Sequence, residues 1–335
     1  MNRIIIEASL EPIFSTIQPA FFIDVGHSLF AQPLTNKQCL IVDSSQSVAN
    51  YLEDVTWNAL EQKLVDPLIG LPYIELQNQE KGTKPIASSI TLPHRLGSGY
   101  FAKHNDSELK NILIEEIDRY GPYRTLFKYD PNSIIHGCFL SHLGGVATLH
   151  RISRLLTGRI EAKNVVAVSL GGTSKDPLSA SGKNWDMDLF EKNAKGNKHK
   201  PSELGLGNLP YHTEEYACET ISAKFIINCK SIEATGLPKE AQNLIGAIAQ
   251  WKVLKFLNSP IRLRTTEYEC GEITGNTLEL SSLEKEIPKL IKTCTKKGYF
   301  ADPVVTVVAL TLRSPKQKSK SKNKATNNQQ KEEEE

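Results

Sequence analysis

No stretch of this sequence stays apolar long enough to cross a bilayer. The longest such run, residues 304–310, is broken by Thr306, whereas a spanning helix needs about 20 apolar residues. The opening residues reach Glu7 too soon for a signal peptide, so a cytoplasmic location is the default expectation. Six cysteines, at positions 39, 138, 218, 229, 270 and 294, show no CxxC and no Cys/His pairing at zinc spacing. That pattern excludes a zinc finger and a disulfide scaffold and leaves small, reduced, mostly buried thiols. There is no GxGxxG after a strand, no P-loop lysine, no GxSxG elbow and no HExxH. The eight histidines do not fall at helical metal-ligand spacing: His136, His142 and His150 are six and eight apart. No internal repeat is present. Metal, cofactor and nucleophile chemistry therefore have no sequence signature, and no cofactor is expected.

A global excess of one charge is also missing. The 335 residues carry a net +2. Arg313 and six lysines against four terminal glutamates put about +3 on residues 313–335, leaving about −1 on the rest. Any nucleic-acid contact must then come from a local basic face. The tail has almost no apolar residues and reads as disordered, either a solubilising end or a lysine-rich contact. Residues 1–312 read as one domain with insertions.

Period-two patterning predicts strands over residues 3–10, 39–42, 165–170 (extended by 159–163), 220–229, 261–267 and 304–312. Apolar stripes predict helices over 46–64, 108–120 and 240–257, with a weaker one over 283–297 that is expected to break near Pro288. The fold class is α+β. Stripped of insertions the order is β-α-β-β-α-β, that of a ferredoxin-like or RNA-recognition-motif core, whose sheet face is the usual single-strand platform. Residues 171–214 are rich in Gly, Asn, Lys and Ser and read as a long functional arm or loop.

Four segments carry candidate chemistry. Residues 127–137, FKYDPNSIIHG, hold a polar turn between apolar anchors, with Asn132, Ser133 and His136 offering amide, hydroxyl and imidazole. Residues 43–50, DSSQSVAN, end a strand and open a helix. Its serines can cap that helix, and its free N–H groups suit a phosphate. Ser44, Gln46 and Asn50 form a polar face beyond what a cap needs. Arg95 follows in Pro93-His94-Arg95-Leu96. Gly205-Leu206-Gly207-Asn208 is either a turn or a close backbone approach to a polynucleotide. Basic residues gather at loops and strand ends: Arg95, Arg151, Arg154, Arg159, Lys175, Lys183, Arg262 and Arg264. Arg151 and Arg154 could share a helical face. Arg262 and Arg264 alternate along a strand, as a phosphate groove or a solvated edge would have them. Asp24, with His27 nearby, is the best candidate catalytic carboxylate and could equally be a turn cap.

Taken together, these blocks resemble the Cas-seven family of the RAMP superfamily, the backbone subunit of the type I CRISPR surveillance complex (Cascade), in the subtype I-G branch formerly called I-U. The resemblance rests on Ile6-Glu7-Ala8, Leu10-Glu11-Pro12, Phe22-Ile23-Asp24-Val25-Gly26, residues 39–50, Gly70-Leu71-Pro72-Tyr73, Pro93-His94-Arg95-Leu96, residues 127–137, residues 207–212 and residues 261–265. It runs in order from residue 1 to about 270, and it does not include the tail.

The resemblance implies an RRM-like core with fingers and a thumb, the thumb lying at 171–214. It implies copies polymerised head to tail on a crRNA, with bases presented to target DNA. It further implies Cas-five- and Cas-six-like and large subunits as neighbours, and a recruited helicase-nuclease that does the cutting. The chain itself would not be an enzyme and would need no membrane. Ser44, Gln46, Asn50, Arg95, Asn132, Ser133, His136, Arg151, Arg154, Lys175, Asn208, Arg262 and Arg264 are the expected RNA-binding residues. The alternatives are a metal-dependent RAMP endoribonuclease using Asp24 and a structural subunit that does not touch RNA.

Overall fold

Alternation of Ile6, Ala8 and Leu10 with polar neighbours makes the first strand, because successive side chains face opposite sides. The computed structural model describes residues 2–78, 84–102, 108–176, 196–275 and 278–310. Its main elements in chain order are β1 (Ile4–Pro12), β2 (Leu29–Ala31), β3 (Gln38–Asp43), α1 (Ser45–Asp54), β4 (Tyr73–Asn78) and β5 (Pro85–Ser88). Then come α2 (Glu108–Tyr120), α3 (Pro122–Tyr129), α4 (Pro131–His136), β6 (Leu156–Ser174), β7 (Leu209–Ile227) and α5 (Lys239–Leu257). β8 (Ile261–Leu263), β9 (Thr266–Gly275), α6 (Leu280–Lys296) and β10 (Val305–Leu310) complete the series.

Seven strands form one antiparallel sheet in the order β8-β9-β1-β7-β6-β3-β2. Since β1 and β6 both oppose β7, they run parallel with β7 between them. β7 and β9 are related in the same way across β1. A smaller sheet pairs β4 parallel to β10 and antiparallel to β5. The chain is thus α+β around a large antiparallel sheet. No helix among the described residues is long and apolar enough to cross a membrane. All six cysteines are free thiols.

One face of the large sheet is covered. Ile6, Phe225 and Gly158 lie in register, as do Ala8, Ala223 and Ile160. On this face Phe256 of α5 sits 6.2 Å from Phe225 and stacks 6.1 Å from Tyr51 of α1. α1 can approach because position 158 has no side chain: a Cβ there would lie 2.6 Å from both Phe225 and Val48. α5 is buried nearly all round, as a central helix must be.

Several expectations change. The helix expected over 46–64 stops at Asp54, where Thr56 Oγ1 donates to the Glu53 carbonyl at 2.6 Å. β-branched and aromatic residues then take over, and Trp57–Asn58 pairs with Lys63–Leu64. Leu60, expected on the buried stripe, is 96% exposed. The polar turn expected over 127–137 is instead the joint between α3 and α4, broken at Asp130-Pro131 with Pro131 opening the second helix. The single strand expected over 261–267 folds back at Arg264, whose φ is 57°, so Arg262 and Arg264 are not alternate strand positions. Residues expected as an unstructured arm are partly strand. β6 and β7 pair without a break from Leu156↔Ile227 to Ser174↔Leu209, so 171–174 and 209–214 belong to the hairpin. Of the remainder, 177–195 lies outside the described residues, as does the tail expected over 313–335. Pro288 lies inside α6 and does not end it.

Gly158→Val is expected to destabilise the protein by roughly 1–3 kcal/mol through overpacking. It should lower the urea midpoint with an unchanged denaturant slope. An unaltered midpoint would mean that α1 is not held this close to the sheet.

Candidate nucleic-acid interface

Beneath α1 lies a polar network taken wholly out of water. Glu53, near the end of α1, receives Arg95 through Nε and Nη2, each at 2.7 Å. Arg95 opens a short 3-10 turn with φ 51° and also donates through Nη1 to the Gly137 carbonyl at 3.2 Å. Asn132 Nδ2 donates to Glu53 Oε1 at 2.6 Å, and Lys252 Nζ of α5 donates to Asn132 Oδ1 at 2.5 Å. Lys252 Nζ also lies 2.9 Å from His136 Nε2. An ammonium only donates, so that nitrogen accepts and the ring proton sits on Nδ1. Ser133 Oγ accepts from the Leu96 amide at 3.2 Å and donates to Asp130 Oδ2 at 2.6 Å. His136 Nδ1 and Asp130 Oδ1 are buried without a partner among the described residues.

Burial governs the charges here. Desolvation, then the cations Lys252, Arg95 and Arg154, holds His136 well below its ordinary range, so it is neutral. Desolvation pushes the Asp130 carboxyl up to about 6, and it draws Lys252 down to about 8 against the attraction of Glu53. The Glu53–Arg95 pair is bidentate and satisfied, the form in which a buried ion pair survives its desolvation.

The sequence set Arg95, Asn132, Ser133 and His136 among RNA-contacting groups. The structure places all four in the interior, with their polar atoms bonded to Glu53, Asp130, Lys252 and backbone groups. The reason is packing: the isoleucines beside them, Ile134 and Ile135, are core residues and draw the whole of α4 inside.

At the other end of α1 the cations reach solvent. Asp43 is fully buried at the end of β3. It accepts the Ser44 amide at 3.0 Å and Arg264 Nη1 at 3.0 Å. Ser44 caps α1, accepting from Ser47 N at 3.3 Å. The Ser45 and Gln46 amides of the first turn have no acceptor within the helix. Arg154 Nη2 donates to Gln46 Oε1 at this same turn. Arg154 is half-buried, and no carboxylate among the described residues forms an ion pair with it. Desolvation, then neighbouring Arg95, holds its pKa below the ordinary value. Arg262 Nε donates to the Arg264 carbonyl at 3.2 Å, and Asn50 is exposed one turn along α1.

Two contacts thus form at this end of α1: Arg154 with Gln46, and Arg264, with Arg262 behind it, on the Asp43 carboxylate next to Ser44. Arg151 is set apart on a short ladder, with its guanidinium 5.4 Å from the Phe139 ring centroid. Lys175 and Asn208 lie at the far end of the β6–β7 hairpin, about 45 Å along the strand from Ile160. There Asn208 Oδ1 accepts the Asp176 amide at 2.9 Å. Lys183 lies outside the described residues.

Over its central strands the open face of the large sheet does not suit base stacking. Across β1, β7 and β6 it presents Ile5, Ile226 and Thr157, then Glu7, Lys224 and Arg159, then Ser9, Ser222 and Glu161. No aromatic is among them, and Glu7 pairs with Lys224 at 3.1 Å. Asp24 sits at the exposed tip of a short hairpin, with φ 67°. His27 is not its partner: the ring approaches the Ala20 carbonyl at 3.1 Å and packs between Phe21 and Tyr216. Among the described residues no three His, Cys, Asp or Glu converge as metal ligands.

Glu53, Asp43 and Lys252 were not singled out from the sequence. Lys252 had a signal, a lysine inside the apolar run of residues 247–257 in a helix with no obvious polar side. Glu53 and Asp43 had none, since each ends an element where an acid is ordinary.

Residues 4–167 match the model of a family described as CRISPR-associated protein GSU0053. Just under half of the chain thus carries the pattern of a CRISPR-associated family. No curated protein matches. A solved chain from a "CRISPR RNA-guided surveillance complex, pre-nicking" is similar at 13% identity and a TM-score of 0.38, covering 75% of this chain and 69% of that one.

Because Asp130 is protonated more readily when folded, it favours the fold at low pH. That contribution is fully present below about 4 and lost as pH rises through about 6. Asp130→Asn is expected to remove this dependence. Its stability relative to wild type should improve between pH 4.5 and 7 by at most about 3 kcal/mol, read from urea midpoints. A difference that stays flat across that window would contradict a buried, titrating Asp130.

Proposed function

We propose that this chain is a crRNA-binding backbone subunit of a type I CRISPR surveillance complex, of the Cas-seven kind and subtype I-G. It grips the sugar–phosphate backbone at the first turn of α1. The observation that carries this reading is Arg154: a half-buried guanidinium that forms no ion pair among the described residues, held by Gln46 at the first turn of α1, whose cap residue Ser44 adjoins the Asp43–Arg264 pair. A phosphate would supply the missing negative charge, and a helix N-terminus favours it. The match of residues 4–167 to a CRISPR-associated family supports the assignment to CRISPR defence.

Two interleaved parallel pairs, β1 with β6 and β7 with β9, support an RRM-like reading of the core. The central strands β1, β7 and β6 carry charges and no rings on the open face of that sheet, which favours phosphate contact at its end over base stacking across its centre. In this reading the long β6–β7 hairpin is the base of the thumb, and Lys175 and Asn208 meet RNA away from the α1 site. Further copies of the chain would follow along the crRNA, leaving bases free for target DNA. Cas-five- and Cas-six-like and large subunits would complete the particle. The chain holds RNA and does not cut it; a recruited helicase-nuclease does. Arg95, Asn132, Ser133 and His136 act by fixing α1 and not by touching RNA.

Expression beside a CRISPR array, followed by sequencing of the co-purified RNA, tests the assignment: a discrete guide RNA is expected. Recovery of RNA-free protein even with the neighbouring subunits present would overturn it. For the site, Arg154→Gln is the cleaner variant, because Arg264→Gln would also strand the buried Asp43. Arg154→Gln should reduce the slope of log affinity against log salt by about 0.7 on single-stranded RNA. An unchanged slope would remove Arg154 from the interface.

A further inference from the structure

Phe139 stands out among the exposed aromatic residues because its backbone is fixed although its ring is 50% exposed. It lies on a short antiparallel ladder in which Cys138 opposes Ile152 and Phe139 opposes Arg151. Both ends of that ladder are closely packed. A side chain at Gly137 would meet the Ile152 carbonyl at 2.7 Å and the Arg154 amide at 3.1 Å. One at Gly97 would meet the Phe139 carbonyl at 2.4 Å. The Gly137 carbonyl accepts from Arg95, which ties the ladder to the buried network. Phe139 is therefore presented on a rigid backbone, two residues and about 7 Å along the strand from the glycine packed against Arg154.

Arg151 lies 5.4 Å from the Phe139 centroid and forms no ion pair with a carboxylate among the described residues. A ring and a guanidinium plane are the two kinds of platform on which unstacked bases are held, and here they are set together. The chain thus runs directly from the Gly137 backbone packed against Arg154 into the strand that carries the ring.

We propose that Phe139, with Arg151 beside it, is a stacking seat for one nucleobase of the strand whose phosphate is held at Arg154. The proposal rests on the RNA-binding reading above and deepens it. It adds a base contact, tolerant of sequence because every base has a π-face. The strand is single-stranded at this point, since a base within a duplex is already stacked.

Stacking and phosphate contact leave different signatures. The test is anisotropy of a fluorescein-labelled single-stranded RNA of mixed sequence, titrated with the full chain at several salt concentrations. Phe139→Leu should weaken binding roughly ten- to hundred-fold at every salt concentration with the salt slope unaltered. Phe139→Trp should restore the affinity, and its added indole fluorescence should be quenched on binding. Phe139→Leu should keep the wild-type unfolding midpoint, since the ring is half-exposed.

Binding by the wild type with an Arg154-dependent slope, and an affinity within twofold for Phe139→Leu, would overturn the stacking seat and leave the phosphate site standing. No binding by the wild type at low salt would overturn both. A loss in Phe139→Leu that Phe139→Trp fails to restore would also overturn the seat.

Discussion

The contact on which most else depends is the buried pair of Glu53 and Arg95. A carboxylate and a guanidinium removed from water each carry a desolvation penalty of several kcal/mol, offset only when geometry is good and the remaining polar atoms are satisfied. Here Glu53 takes two bonds from Arg95 and one from Asn132, and Arg95 spends its third on the Gly137 carbonyl. Those partners come from α1, the 3-10 turn at Arg95, α4 and the start of the short ladder. Lys252 extends the set into α5 through Asn132. Apolar packing alone would tolerate small shifts among these elements. A network of charges does not, because any slip strands a buried donor or acceptor.

That rigidity has a direction. The network grips the C-terminal end of α1, while the N-terminal end faces solvent beside Arg154 and Arg264. Arg95 stands between the two regions. It satisfies Glu53 below, and its positive charge weighs on Arg154 above more than Glu53 attracts it; among the described residues Arg154 bonds the side-chain amide of Gln46. Two guanidiniums close together, with a single carboxylate between them that one occupies fully, leave positive charge at the surface. The net charge of the whole chain, +2, conceals this local surplus. An anion at the first turn of α1 would relieve it.

Much of the fold was legible because periodicity reports burial directly. α2 ran over 108–120 as its stripe of Leu109, Ile112, Leu113 and Ile117 suggested, though Ile112 is exposed, and α5 differed by one residue at its start. The strand over 159–170 extended as its β-branched residues suggested. What failed had a common cause. Asp130-Pro131 reads as a turn from local chemistry, yet a Pro at the first position of a helix looks the same until its neighbours are known to be core. The stripe over 46–64 continued on paper, but Thr56 bonding back to Glu53 ended the helix. The candidate site divided in the same way. Most polar residues chosen by type fell into an outer set at α1 and an inner set around Glu53, with Arg151, Lys175 and Asn208 apart from both. Only tertiary packing separates contact from support, and the acids that organise both sets, Asp43 and Glu53, look ordinary in the sequence.

On the proposed reading, RNA meets the end of the sheet at α1 and not the open sheet face. Photo-crosslinking of the RNA-bound protein, with the crosslinked peptides located by mass spectrometry, tests it most directly. Crosslinks are expected within residues 44–50, 151–154 and 262–266. Crosslinks confined to the face bearing Glu7, Lys224 and Arg159 would contradict the account.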